Sequence, residues 1–270
     1  MSVPVGTTAL GAAAVGVAAI EISGLHFRYP QAEKPVFSGL HLRVEDGQRF
    51  GLFGPNGAGK TTLMHLMTGL LSFREGSIRL LGQEAGPRAR SGRGRRLSVR
   101  SLFGFVPQDF SFYMELSPWQ NLEFYGAWAG LSAAETHRRA AHLLEVLGLA
   151  DVRHQPAKHF SGGMKRRLNL AIGVIHEPRI LFLDEPTVGV DVQTGYAILR
   201  YLGELNARGT TLIYTSHQLD EAERLCESIA LIDQGAILAE GNVHTLLTEH
   251  RQGDLRGLYL ELTGKAYRDV

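Results

Sequence analysis

The chain has 270 residues, with 28 Lys+Arg against 27 Asp+Glu and a formal charge of +1. Nothing in that balance demands a polyanionic partner. Its one cysteine, Cys226, excludes an intrachain disulfide scaffold and fits a reducing compartment. At 44% hydrophobic and 20% charged, the composition suits an ordered globular protein with one large core or two modest ones.

The most apolar stretch, Thr7 to Ile20, is weaker and shorter than the roughly 20 apolar residues a spanning helix needs. No Lys or Arg precedes Arg28, unlike a secretory leader. Residues 1–19 are therefore expected to be a flexible or edge-packed extension. Strand-like runs follow at Ile20 to Tyr29 and Leu40 to Val44, closed by the turn Glu45-Asp46-Gly47. Gln48 to Phe53 reads as a strand running into Gly54-Pro55-Asn56-Gly57-Ala58-Gly59-Lys60-Thr61-Thr62, and Leu63, Met64, Leu66, Met67 and Leu70 continue at helical spacings. Another strand is expected over 76–82.

Ala85 to Arg100 carries Arg88, Arg90, Arg93, Arg95, Arg96 and Arg100 with no neighbouring aromatics, so it reads as a solvated basic loop, not a stacking platform for bases. From Pro118 to Gly148 the pattern turns helical, and Ser132 with Glu135 forms a capping-box pattern. Ser161 to Ile175 is also helical. Arg179 to Leu183 is a continuous apolar strand, hence buried on both faces, and it stops at Asp184-Glu185-Pro186. Residues 192–206 read as helix, Thr210 to Thr215 as a strand ending at Ser216-His217, and 218–227 as helix. A hairpin is predicted around Gln234-Gly235, and the tail from 242 as a helix followed by a short strand.

Gly54-x-x-x-x-Gly59-Lys60-Thr61 meets the phosphate-loop pattern, in the strand-loop-helix context that gives the pattern meaning. Its glycines let successive backbone N–H groups turn toward one point, and the helix start adds positive potential. Lys60 is placed to reach the β and γ phosphates of a nucleotide, and the Thr61 hydroxyl to hold Mg²⁺. Asp184 and Glu185 leave the end of a buried strand. Asp184 is expected to coordinate Mg²⁺ through water, and Glu185 to polarise or orient an attacking water. Acids in that place can also merely cap the next helix. Gln108, after the strand Phe103 to Val106, has an amide suited to Mg²⁺ or the water. His217 is suited to a hydrogen bond with the γ-phosphate. The 11 histidines show no metal-ligand spacing with cysteine or each other.

On these motifs the chain, over about 20–240, resembles the nucleotide-binding subunit of an ATP-binding cassette transporter. Ser161-Gly162-Gly163, within Phe160-Ser161-Gly162-Gly163-Met164-Lys165-Arg166-Arg167, resembles that family's signature, which other phosphate-loop proteins lack. The resemblance implies an α/β fold: a P-loop NTPase core with a mixed β-sheet, an antiparallel β subdomain and a helical insertion at about 112–176, followed by a tail over 241–270. It implies ATP and Mg²⁺, and a second copy of the chain bound head to tail, so that each signature faces the γ-phosphate on the other copy. Tyr29 resembles the aromatic residue that stacks on adenine, with Phe27 the competing candidate. Gln108 resembles the glutamine that couples the site to a membrane partner. Glu185 resembles the catalytic glutamate, Asp191 the acid of the dimer-contact loop and His217 the switch histidine.

Two positions depart from the usual pattern: Met164 stands where glutamine is frequent, and Val192 follows Asp191 where proline is frequent. Met164-Lys165-Arg166-Arg167 is similar to a subgroup serving drug, antibiotic, lipid or polysaccharide exporters whose membrane subunits are separate chains. The resemblance thus implies an ATPase on the cytoplasmic face of a membrane, held there by an integral membrane permease subunit, with no nucleic-acid partner. Residues 111–115 and 118–120 would belong to the docking surface, or Trp119 and Phe124 to the insertion's own core. An importer subunit has the same chemistry, and a soluble cassette acting as a clamp on nucleic acid or the ribosome is the reading from another class. A non-hydrolysing scaffold is disfavoured because every catalytic acid is present.

Overall fold

The computed structural model describes residues 18–85, 99, 101–216 and 219–264. The expectations for residues 1–17, for nearly all of the arginine-rich loop and for His217 lie outside the described residues. Two sheets form the body. One is antiparallel, in the order β2 (Phe37–Glu45), β1 (Ala18–Phe27), β4 (Glu75–Leu80), β5 (Gln83–Ala85). The other has the order β10 (Ala236–Asn242), β9 (Ser228–Asp233), β3 (Arg49–Phe53), β8 (Thr211–Ser216), β7 (Ile180–Asp184), β6 (Phe103–Val106). Within it β9, β3, β8, β7 and β6 are parallel neighbours, and β10 closes the edge antiparallel to β9.

The parallel strands are apolar on both faces because both faces are covered. Ile180 and Phe182, Ile213, and Ala230 and Ile232 face one core, shared with the antiparallel sheet and with α1 (Lys60–Met67). The alternate residues Leu181 and Leu183, Leu212 and Tyr214, and Ile229 and Leu231 face a second core. That second core is filled by α2 (Pro118–Trp128), α3 (Ala133–Val146), α4 (Gly162–Val174) and α5 (Val192–Ala207). Truncating Phe182, which is fully buried, to Ala would cost about 3–5 kcal/mol. Between β6 and β7 the regular structure among the described residues is entirely helical.

Local differences from the sequence reading have identifiable causes. Ala18 and Ala19 open β1 and are buried, so the ordered sheet reaches into the stretch expected to be an extension. Ser132 does cap α3 by accepting from the Glu135 N–H, but the Glu135 carboxylate turns to Arg138 and Arg139 instead of closing the box. Those guanidinium groups hold that carboxyl down at about 2. The complete capping box lies at α2: Ser117 Oγ accepts from the Gln120 N–H, Gln120 Oε1 accepts from the Ser117 N–H, and Pro118 follows at the first turn.

The tail is corrected. After α6 (Leu219–Leu225) and β9 and β10 come two helices, α7 (Val243–Glu249) and α8 (Leu255–Thr263), and no strand follows α7 among the described residues. Leu258, Leu260 and Leu262 alternate like a strand, yet Leu255, Leu258 and Tyr259 are the buried set and Leu260 is exposed, which is the helical period. Asp254 Oδ1 accepts from the Gly257 N–H at 2.7 Å and starts the helix.

Candidate nucleotide site

β3 is buried from Phe50 onward, between β8 and β9, and delivers the chain at Phe53 into the loop 54–59. A Cβ at position 54 would overlap the Ile232 carbonyl oxygen, so only glycine lets the loop leave the sheet this close to β9. Gly59, at φ 110°, turns the chain into α1, whose first helical bond runs from the Leu63 N–H to the Gly59 carbonyl at 2.8 Å. Ala58 is buried, and its carbonyl accepts from the Gly235 N–H at 3.0 Å, which pins the loop to the turn between β9 and β10. Lys60 is buried too, and its Nζ donates to the carbonyls of Gly54 at 2.7 Å and Pro55 at 3.1 Å. Burial pulls this ammonium below the usual lysine range, while Glu185 and Asp184 favour its charged form.

The acids arrive from the neighbouring strands. Asp184 is the last residue of β7, paired in register with Thr215 of β8. The Thr215 hydroxyl donates to Asp184 Oδ1 at 2.6 Å, and the Thr61 hydroxyl donates to the same oxygen at 3.5 Å. Phosphate loop, acid and Thr215 thus form one connected group on the carboxyl ends of β3, β7 and β8. Glu185, mostly buried, has φ 50°, an uncommon conformation for a residue with a side chain. Its N–H is held there by the Thr215 carbonyl at 3.1 Å and the Thr215 hydroxyl at 3.2 Å. The chain therefore turns sharply between the two acids.

Among the described residues no group of three His, Cys, Asp or Glu is arranged to hold a metal. Asp184 and Thr61 together offer only hard oxygen donors, one carboxylate and one hydroxyl, a set that fits Mg²⁺ completed by phosphate oxygens and water.

The two aromatic candidates separate clearly. Phe27 is buried in the antiparallel sheet, whereas Tyr29 is 38% exposed, packs edge-on against Phe27 at 4.9 Å and shares a hydrogen bond of 3.0 Å with the Thr62 hydroxyl. The phenol is thereby fixed, partly exposed, beside the first turn of α1.

A second group forms elsewhere. Ser161 caps α4 by accepting from the Met164 N–H at 3.2 Å. Ser161 and Gly162 are exposed at that helix start, and their backbone turn can approach an anion. A Cβ on Gly163 would come within 3.1 Å of Thr194 Oγ1, and one on Gly162 within 3.5 Å of the Gly189 carbonyl, so the turn packs on the segment leading into α5. Asp191 caps α5, accepting from the Thr194 N–H at 3.0 Å and its hydroxyl at 2.7 Å. These bonds hold the Asp191 carboxyl below the usual range. Gln108 is exposed, and its carbonyl accepts from Arg166 at 2.8 Å.

The sequence-predicted residues thus fall into two sets. Tyr29, residues 54–62, Asp184 and Glu185 share one neighbourhood, and Ser161, Gly162, Gly163, Asp191 and Gln108 are tied to α4 and the start of α5. Thr215 and Arg166 are the members that sequence reasoning missed. Trp119 is half-buried against the second core and stacks near His137 at 5.3 Å, while Tyr113, Phe124 and Trp128 are exposed.

A mixed sheet with a phosphate loop, two acids at an adjacent strand end and a capped Ser-Gly-Gly helix start defines a nucleotide-binding protein of the P-loop class. Residues 37–188 match the family described as ABC transporter. The chain is 39% identical over 209 residues to the linearmycin resistance ATP-binding protein LnrL of Bacillus subtilis (strain 168), a match covering 77% of this chain and 65% of that protein. It is 37% identical over 240 residues to the Nod factor export ATP-binding protein I of Ralstonia nicotianae, covering 89% of this chain and 72% of that one. A solved structure of an ATP binding subunit of an ABC transporter superposes with a TM-score of 0.81 at 30% identity, covering 91% of this chain and 99% of that one. This chain belongs to the ABC transporter family. No helix among its described residues is long and apolar enough to cross a membrane.

Proposed function

We propose that the protein is the ATP-hydrolysing subunit that energises a membrane exporter of the drug, antibiotic, lipid or polysaccharide class. The observation that carries this reading is the joining of the phosphate loop to Asp184 through Thr61, with Glu185 turned off the same strand end. In this reading Tyr29 stacks on adenine, the N–H groups of residues 56–62 cradle the phosphates, and Lys60 exchanges its loop carbonyls for β- and γ-phosphate oxygens. Thr61 and Asp184 would hold Mg²⁺, with Gln108 completing the set, and the ion when bound neutralises phosphate charge. Glu185 accepts a proton from water, the water oxygen bonds to the γ-phosphorus, and the bond to the β-phosphate oxygen breaks to leave ADP and phosphate. His217 hydrogen-bonds the γ-phosphate.

The second group of residues suits a second copy. A Ser-Gly-Gly turn exposed at a helix start suits an anion, and a head-to-tail partner would supply one. Val192 and Tyr196, 89% and 73% exposed beside Asp191, extend an apolar face next to that turn. Export, as against import, is supported by the similarity to the Nod factor export ATP-binding protein of Ralstonia nicotianae. The exposed aromatics Tyr113, Phe124 and Trp128 of the helical insertion suit a membrane subunit's groove and would hold the protein at the cytoplasmic face.

Mild-detergent purification of the tagged chain from native membranes tests the reading. A multi-helix membrane protein recovered in constant ratio is the expected result. A purely soluble complex, or bound nucleic acid in its place, would remove the exporter assignment and favour a clamp.

A further inference from the structure

The helix that starts at the Ser-Gly-Gly turn carries two polar side chains on its buried side. Arg166 is 4% exposed and Asn169 is equally enclosed. Arg166 Nη1 donates to the carbonyls of Pro107 at 3.3 Å and Gln108 at 2.8 Å, and Nη2 donates to the Val188 carbonyl at 3.3 Å. Asn169 Nδ2 donates to the same Pro107 carbonyl at 3.0 Å. The guanidinium lies over the Phe110 ring, its Cζ 5.0 Å from the centroid. One side chain therefore binds the Gln108 segment with one arm and the segment before Asp191 with the other, from the helix that begins at the signature.

This arrangement is expensive for what it adds to stability. A buried guanidinium facing neutral carbonyls loses hydration that they replace only in part, and Nε is buried without a hydrogen-bond partner. Burial accordingly pulls its pKa below the usual arginine value, against the favourable fields of Asp109, Glu185 and Asp184. The helix has ample apolar anchorage without it, through Leu168, Leu170, Ala171 and Val174. A methionine would fill the space more cheaply. The connections are what an apolar side chain does not reproduce.

We propose that Arg166 is a positioning residue that locks the Gln108 segment and the Val188–Asp191 segment to the signature helix, so that the three move as one unit when nucleotide is engaged. The proposal rests on the ATPase reading above. It requires the planar fork, because the two arms serve different segments and a lysine ammonium concentrates its donors at one point.

Full-length Arg166→Met and Arg166→Lys decide it, through steady-state ATPase kinetics, thermal melting and amide hydrogen exchange. The expected result is a kcat lowered roughly 10- to 100-fold in the Met variant, with KM for ATP within about twofold of the parent. The Lys variant is expected to melt near the parent yet recover only part of kcat, and to lose exchange protection in residues 107–110 and 187–191 together while 54–62 keeps its own. If the Met variant fails to fold, the Lys variant carries the test. Parental kcat per folded molecule in the Lys variant, or loosening of one segment without the other, would overturn the proposal. A parent that hydrolyses no ATP would sink the ATPase reading instead, and the exchange pattern would still decide whether Arg166 locks the two segments.

Discussion

The two groups of candidate residues are built by different means. The phosphate loop and its acids sit on the ends of parallel strands, where Phe53 pairs with Ser216 and Asp184 with Thr215, so strand register alone brings residues far apart in the chain into contact. The Ser-Gly-Gly turn, Gln108 and Asp191 sit on helix starts and loops, held by caps and by the side chains of Arg166 and Asn169. Register gives a rigid, buried floor for the proposed catalytic group. Caps and a few side-chain tethers give an exposed surface that can shift as a body. A site assembled from one half of each kind, as proposed, can be closed and opened without disturbing the half proposed to hold the phosphates.

Breaking the rigid half has the largest expected effect. Lys60→Ala removes charge-assisted bonds worth about 1.5–3 kcal/mol, which lowers ATP affinity by roughly 10- to 100-fold. Calorimetric titration with ATP checks it, and an affinity equal to the parent's would show that the loop binds phosphates without its lysine. A smaller effect sharpens the same half. Thr215→Val keeps the shape of β8 but removes the 2.6 Å bond to Asp184 Oδ1. Apparent Mg²⁺ affinity in the ATPase assay is expected to fall about tenfold, with metal-free ATP binding unchanged. Equal losses with and without the metal would mean that Thr215 supports the loop and not the acid.

The smallest effect concerns the joint between the halves, where α4 ends against β6. His176 Nε2 bonds the Phe103 carbonyl at 2.9 Å, and burial first, with the Arg139 charge adding, pulls the imidazole below 6.5. The neutral form is thus the folded form. Its contribution is complete above pH 6.5 and is lost as pH falls through the lower folded value, because the unfolded chain takes up the proton first. His176→Gln should flatten that part of the urea midpoint against pH profile. A profile parallel to the parent's would remove His176 from the joint.

How much of this was legible in the sequence follows the same division. The phosphate loop and the acid pair are contiguous strings with strong local signals, and both stand where the strand-loop-helix order predicted. Thr215 was invisible because its importance depends on register with Asp184, 31 positions away. Arg166 lies in the basic run Lys165-Arg166-Arg167, where only the phase of the helix turns it inward while its neighbours stay partly exposed. Tyr29 and Phe27 are equivalent in composition and separate only by burial. In the tail, period 2 and period 3.6 coexist over Leu255 to Leu262, and packing against the second core selects the helix. Caps explain the remaining misreading, since Glu135 had two arginines within one turn competing for its carboxylate.

The central claim is that the phosphate loop with its acids and the Ser-Gly-Gly turn with Asp191 complete each other across two copies of the chain, Gln108 serving the site of its own copy. Sedimentation of Glu185→Gln with and without ATP tests it most directly, since slowing hydrolysis while keeping the nucleotide leaves the closed assembly to accumulate. The expected result is a monomer without ATP and a dimer with it. A variant that binds ATP tightly and still sediments as a monomer would contradict the claim.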